Sequence, residues 1–187
     1  MLKYIEEYAK YVEITGFRNV KIDANAEFFK AIRKQQQNTA VQFFDAELVA
    51  TWQHLYFAVL NALMAFRNKR NISKNVAIEI MLYASAQRQI RKAIDLIGIK
   101  PDSANVAAVI VGESPSSVKA VFSAVSKCVG AEPDDAVLEL SKEKMLSVRR
   151  AFGISEKELE TVMEKNNAEQ ALVDLVIERM ALLSTQL

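Results

Sequence analysis

Two periods of hydrophobic and polar positions run along this chain, and the switches between them mark out its elements. In YVEITGFRNVKI, residues 11–22, Val12 and Ile14 alternate with polar neighbours, and Val20 and Ile22 resume after Gly16, which predicts a strand. Asp23 is placed to cap a helix, ANAEFFKAIRKQQ, whose Phe28, Phe29 and Ile32 form an apolar stripe. TAVQFFDAEL, 39–48, reads as a second strand ending near Asp45. A long helix follows over 49–67, with Trp52, Leu55, Tyr56, Val59, Leu60, Leu63 and Phe66 covering more than one face, the pattern of a central helix.

Shorter helices are expected over 74–84 and 87–97, the second closed by Gly98. VAAVIVG, 106–112, is a continuous run rich in β-branched residues and predicts a strand buried on both faces. A helix over 114–130 has Pro115 in its first turn and Gly130 at its end, and AVLEL, 136–140, reads as a short strand. The last third is helical: SKEKMLSVRRAFG stops at Gly153, ISEKELETVMEK opens with a Ser155/Glu158 capping box, and a final helix covers 168–184. Strands and helices intermix, so the expected class is α/β or α+β: a single domain, 1–187, with a mixed central sheet of four to five strands flanked by many helices.

Composition narrows this further. An apolar fraction of 51% and a charged fraction of 25% are those of a globular chain. No apolar run reaches the roughly 18 residues of a membrane span, and the N-terminus, MLKYIEEYAKYVEI, carries acids where a signal peptide has its apolar region. Cys128 stands alone, so no internal disulfide forms, which suits a cytoplasmic protein without a membrane partner.

The net charge of +1 hides its distribution. Residues 67–92 hold Arg67, Lys69, Arg70, Lys74, Arg88, Arg91 and Lys92 against the single acid Glu79, a net +6. Residues 132–187 hold twelve acids and seven bases, a net −5. One basic and one acidic region suggest two different partners.

Catalytic chemistry is hard to assemble. Gly98, Gly130 and Gly153 serve as helix stops, and the remaining Gly16 and Gly112 cannot build a phosphate-cradling loop. His54 has no His or Cys partner at metal-ligand spacing and lies inside a buried-looking helix, where a satisfied imidazole is expected. Cys128 on an amphipathic helix reads as a small buried hydrophobe that needs no reactivity, and Asp134 and Asp135 follow Pro133 as turn residues. No enzyme, metal or cofactor is expected.

Two surfaces ask for an explanation. On the helix over 87–97, Ala86, Ile90, Ala93, Ile94 and Ile97 read as the inward face, with Arg88, Arg91, Lys92 and Asp95 on one outer stripe. A solvated face with an Arg91–Asp95 pair would account for it, but the nearby cluster of Arg67, Lys69, Arg70 and Lys74 makes a phosphate-binding footprint the better reading. The helices over 74–97 also admit a helix-turn-helix DNA-binding alternative, although their turn lacks Gly. At the C-terminus, Ala171, Leu172, Leu175, Val176, Met180 and Leu183 form one apolar face and Val173, Ile177, Ala181 and Leu182 much of another. Such a helix is buried on both sides or covers a partner.

In order, VQFFDAELVATWQHL, AFRNKRNIS, EIMLYASAQRQIRKAIDLIGI, AFGISEKELE and ALVDLVIERMALL resemble the accessory-subunit family of the KEOPS complex, over residues 10–183. The most specific parts are LYASAQRQIRKAIDLIGI and IERMALL. The resemblance implies a mixed α/β fold and a non-catalytic subunit that binds the N-terminal lobe of a kinase-like (PRPK-like) ATPase. Through it the subunit joins a complex that places threonylcarbamoyl on the adenosine beside the tRNA anticodon. It also implies tRNA binding at the 3′ CCA end, which assigns Arg67, Lys69, Arg70, Lys74, Arg88, Arg91 and Lys92 to tRNA. Tyr83, the nearest aromatic for base stacking, falls with Ile80 on an apolar face and is expected in the core. Leu175, Arg179, Met180 and Leu183 are the expected kinase contacts; self-association of the isolated chain stays open.

Overall fold

A computed structural model describes residues 2–20, 38–165 and 167–185. The helix expected over 24–36 lies outside the described residues. The chain divides into two compact units, Met1–Ala46 with Ile99–Val137 and Glu47–Gly98 with Leu138–Leu187.

Among its described residues the first unit is built on four strands, β1 (Leu2–Ile5), β2 (Lys10–Phe17), β3 (Thr39–Asp45) and β4 (Val106–Gly112), in the order β1-β2-β4-β3. Every pairing is antiparallel, so the sheet is not the mixed one expected. The unexpected strand is β1. It forms a hairpin with β2 through a 3₁₀ turn at Glu6–Tyr8, and the left-handed residue that closes the turn is Ala9 (φ 48°), so no Gly or Asn announces it. Tyr4 lies opposite Tyr11, with ring centroids 4.7 Å apart.

All seven residues of β4 are buried, as its unbroken apolar run requires of a strand covered on both faces. One face meets α4, named here with its helical neighbours: α1 (Trp52–Arg67), α2 (Val76–Ala84), α3 (Ile90–Ile97), α4 (Pro115–Val129), α5 (Lys142–Phe152), α6 (Glu156–Val162) and α7 (Ala168–Leu183). Phe17, Val41, Phe43, Val106 and Ile110 pack there with Val118, Val121 and Val125. Ser114 caps α4 by accepting from the Ser117 N–H, and Gly130 ends it at φ 66°.

The strand expected over 136–140 is instead a 3₁₀ turn, Asp135–Leu138. Its approach makes one isolated bridge, Phe17 with Pro133, and then aspartate chemistry takes over. The Asp134 carboxylate accepts from the Ala136 N–H and from Arg18, while Asp135 accepts from the Thr15 hydroxyl and the Gly16 N–H. Both aspartates are thus engaged in holding the turn.

The second unit is helical among its described residues. α1 packs against α2 and α7, and α7 packs against α1, α2, α5 and α6. Seven residues of α7 are buried, Ala171, Leu172, Val173, Leu175, Val176, Met180 and Leu183, so the first apolar face is covered within the chain, whereas of the second only Val173 is buried and Ala181 and Leu182 stay exposed. Burial of a Leu or Met side chain favours folding by roughly 1.5–3 kcal/mol each, before ordering entropy, which makes this helix a main support of the unit. Asn75, Ser141, Ser155 and Asn167 cap α2, α5, α6 and α7. Gly153 ends α5 at φ 62°, but Gly98 ends α3 at φ −69° and serves differently: a Cβ there would lie 2.5 Å from the Ile94 carbonyl oxygen.

Candidate nucleic-acid interface

The basic segment lies wholly in the helical unit, and its backbone is fixed from α1 onward. Arg70 N–H donates to the Ala65 carbonyl and Lys69 N–H to that of Phe66, the paired bonds of a Schellman motif. Lys69 takes the left-handed position at φ 55°, where glycine is usual. Arg67, Lys69 and Arg70 therefore gather at the negative end of the α1 dipole, which itself favours cations there.

Glu79 on α2 is fully buried, and its two oxygens accept the N–H groups of Ile72 (3.0 Å) and Ser73 (2.7 Å). Asn75 then caps α2 by accepting from Ala77 and Ile78. α2 ends as α1 does: Gln87 N–H donates to Leu82 and Ala86 N–H to Tyr83, with Ala86 at φ 51°. The turn that lacks glycine is thus made by alanine in glycine's conformation.

Arg67, Lys69, Arg70, Lys74, Arg88, Arg91 and Lys92 are all exposed. Glu79, the one acid in the stretch, is inside, so the exposed charge of 67–92 is entirely positive. The Arg91–Asp95 pair is not formed among the described residues: Arg91 makes no ion pair there. Tyr83 is buried as expected, and its phenol pKa is raised by burial and by the Glu79 charge, with Arg88 opposing. One side chain thus feels both the carboxylate that holds the loop and the guanidinium that precedes α3.

α3 departs from its expected orientation. Only Ala93 and Ile97 are buried, whereas Ile90 and Ile94 are 44% and 45% exposed, beside Arg91 on the helix surface. An eight-residue helix resting on α2 is held by a narrow face, and the two isoleucines fall to its side.

The expected kinase contacts are corrected by burial. Leu175, Met180 and Leu183 are 4%, 0% and 2% exposed, so packing within the helical unit leaves them no surface for a partner. Arg179 is half-buried and binds Glu158. The side of α7 that stays open carries Asp174, Glu178, Ala181 and Leu182.

His54 is a structural imidazole. Its Nδ1 accepts from the Ala50 N–H (3.2 Å) and its Nε2–H donates to the Ala84 carbonyl (2.7 Å), which fixes the neutral tautomer. Burial lowers its pKa to about 4, with the Ala84 bond opposing and Lys144 adding to the drop. Cys128 is exposed on α4 rather than buried. Among the described residues no group of three or more His, Cys, Asp or Glu side chains is placed to hold a metal ion, and no helix is long and apolar enough to cross a membrane.

Glu79 is the loop-holding residue that the pattern of the sequence conceals. Its signal is present, a single acid inside a basic stretch, but only its burial shows what it holds.

Two comparisons bear on these elements. The family model described as kinase binding protein CGI-121 matches residues 17–184, which takes in α1 to α7 and three of the four described strands, β2 by its last residue. The regulatory protein Cgi121 of Methanocaldococcus jannaschii is 33% identical over 162 residues, covering 87% of this chain and 97% of the relative. A match of this extent, in place of one limited to the two helices of a DNA-binding module, decides the assignment: the chain belongs to the kinase binding protein CGI-121 family, the accessory subunits of KEOPS.

Proposed function

We propose that this chain is a non-catalytic KEOPS subunit that binds the kinase-like ATPase of that complex and recruits tRNA through its 3′ CCA end. Family membership supports the kinase-binding half, since the family is described by that activity. The observation that carries the tRNA half is the charge of 67–92: seven exposed cations, with the only acid of the stretch buried. Phosphates meet such a surface without a competing carboxylate from the same stretch. Exposed Ile90 and Ile94 beside Arg91 offer apolar area next to a cation, which suits an unpaired nucleotide better than a duplex backbone. For the kinase, the open side of α7 (Asp174, Glu178, Ala181 and Leu182) replaces the buried leucines as the contact.

The test is binding of the full chain to tRNA and to the same tRNA without its terminal CCA, at fixed salt. Strong loss on truncation supports recruitment by the 3′ end. Equal binding reduces the surface to a general electrostatic one, and no binding to either removes the tRNA role. Arg91→Ala and Lys92→Ala should each lower the slope of log K against log salt by roughly 0.7–0.9 where the residue contacts a phosphate.

A further inference from the structure

The loop joining α1 to α2 carries Lys69, Arg70 and Lys74, yet it has little conformational freedom left. Five of the six N–H groups from Asn68 to Ser73 have an acceptor within the helical unit. Three close the Schellman end of α1. The other two, Ile72 and Ser73, converge on the single carboxylate of Glu79. Successive N–H groups aimed at one anion form the kind of concavity that elsewhere binds phosphate. Here a carboxylate of the chain itself fills it from below, at the cost of burying a charge.

A buried negative charge among seven cations is the wrong sign for attracting RNA. Its place is explained by geometry: it fixes the backbone on which three of those cations stand. The geometry points to Glu79 as the positioning residue of the tRNA-binding surface, holding the 69–74 loop in its binding form before RNA arrives. This inference rests on the tRNA reading above. It adds that affinity depends on a preordered loop as well as on charge, because ordering a loop on binding subtracts from the affinity.

Charge and positioning predict opposite signs for one variant, Glu79→Gln. The amide removes a negative charge from the basic stretch, which by electrostatics alone tightens RNA binding. It also replaces one acceptor oxygen with an NH₂ group that cannot accept from Ile72 or Ser73. We expect folded Glu79→Gln to bind a tRNA transcript ending in CCA about three- to tenfold more weakly, with a shallower salt slope. Equal or tighter binding by the folded variant overturns the inference. So does a loss of affinity that tracks only a loss of folded fraction, with the slope unchanged.

A double variant, Lys69→Glu with Arg70→Glu, tells the two readings apart. If it binds tRNA as the wild type does, the tRNA surface itself is misplaced. If it binds weakly while Glu79→Gln binds normally, the surface stands and only the role of Glu79 falls. Should Glu79→Gln fail to fold, amide exchange in the wild-type protein decides. Slow exchange of the Ile72 and Ser73 amides before RNA is added is the expected result, and open-chain rates at both overturn the inference.

Discussion

Arg179 on α7 donates from Nη2 to Oε1 of Glu158 on α6, at 2.5 Å. The other oxygen of Glu158 accepts the Ser155 N–H and hydroxyl, so one carboxylate both completes the capping box of α6 and ties that helix to α7. The Ser155 N–H, then its hydroxyl, then Arg179 hold the Glu158 pKa down to about 2. A depressed carboxylate pKa stabilises the fold above its unfolded value of 4.5, and the gain is lost as pH falls through about 2. Glu158→Gln should speed exchange of the Leu159 amide, which donates to Ser155, and leave the Ser85 amide at the end of α2 unchanged. If Arg179 acts on the kinase instead, Arg179→Ala will weaken that complex without altering exchange in α6.

His54 predicts the opposite end of an acid response. Its folded pKa of about 4 lies below the ordinary 6.5, so the unfolded chain takes up a proton that the folded chain refuses. The stability contribution is complete above pH 6.5 and is lost as pH falls toward 4. Between pH 7.5 and 5 the loss should be on the order of 2 kcal/mol, measured as a falling urea midpoint. In His54→Gln this part of the pH dependence should vanish, while overall stability drops because the Ala50 N–H and Ala84 carbonyl no longer share one correctly shaped partner.

Lys69 separates stability from binding. At φ 55° it adopts a conformation that costs an ordinary side chain about 1 kcal/mol relative to glycine, so Lys69→Gly should raise the melting temperature by a few degrees. The same change removes a proposed phosphate contact, so tRNA affinity should fall. Calorimetry and a binding titration on one variant then move in opposite directions; a fall in both would show that the lysine stem packs against the unit.

Gly112 tests the packing of β4 against α4. A Cβ at this position would lie 2.8 Å from Val118 Cγ2 and 3.0 Å from Ser117 Oγ, and Val118 is fully buried. Gly112→Ala should destabilise by about 1–3 kcal/mol through overpacking. Val118→Ala in the same chain should recover part of that loss, which a denaturation cycle on the four proteins would measure.

Much of the fold can be read from local pattern. The run 106–112 is a strand with those bounds, and Ser114, Pro115, Gly130, Ser155 and Gly153 mark helix ends because each satisfies a backbone need that arises within a few residues. The same reasoning identifies His54 and Tyr83 as interior. It fails at β1 and at 136–140, for related reasons. Ala9 makes a turn without a turn residue, and Asp134 and Asp135 draw a strand-like segment into a turn by binding Arg18, Thr15 and Gly16, more than a hundred residues away.

The candidate site divides along the same line. Which residues of 67–92 are cationic, and that a single acid sits among them, is fixed by the sequence. Family membership is equally legible there, because it depends on the order of residues. Tertiary structure alone decides that Leu175, Met180 and Leu183 face inward while Leu182 does not, and that Ile90 and Ile94 lie outside. It alone decides that Glu79 faces a loop and not solvent. Helical period states how many apolar faces a segment has, but which face is covered depends on helices distant in sequence, and a carboxylate's partner depends on which N–H groups the fold brings within 3 Å.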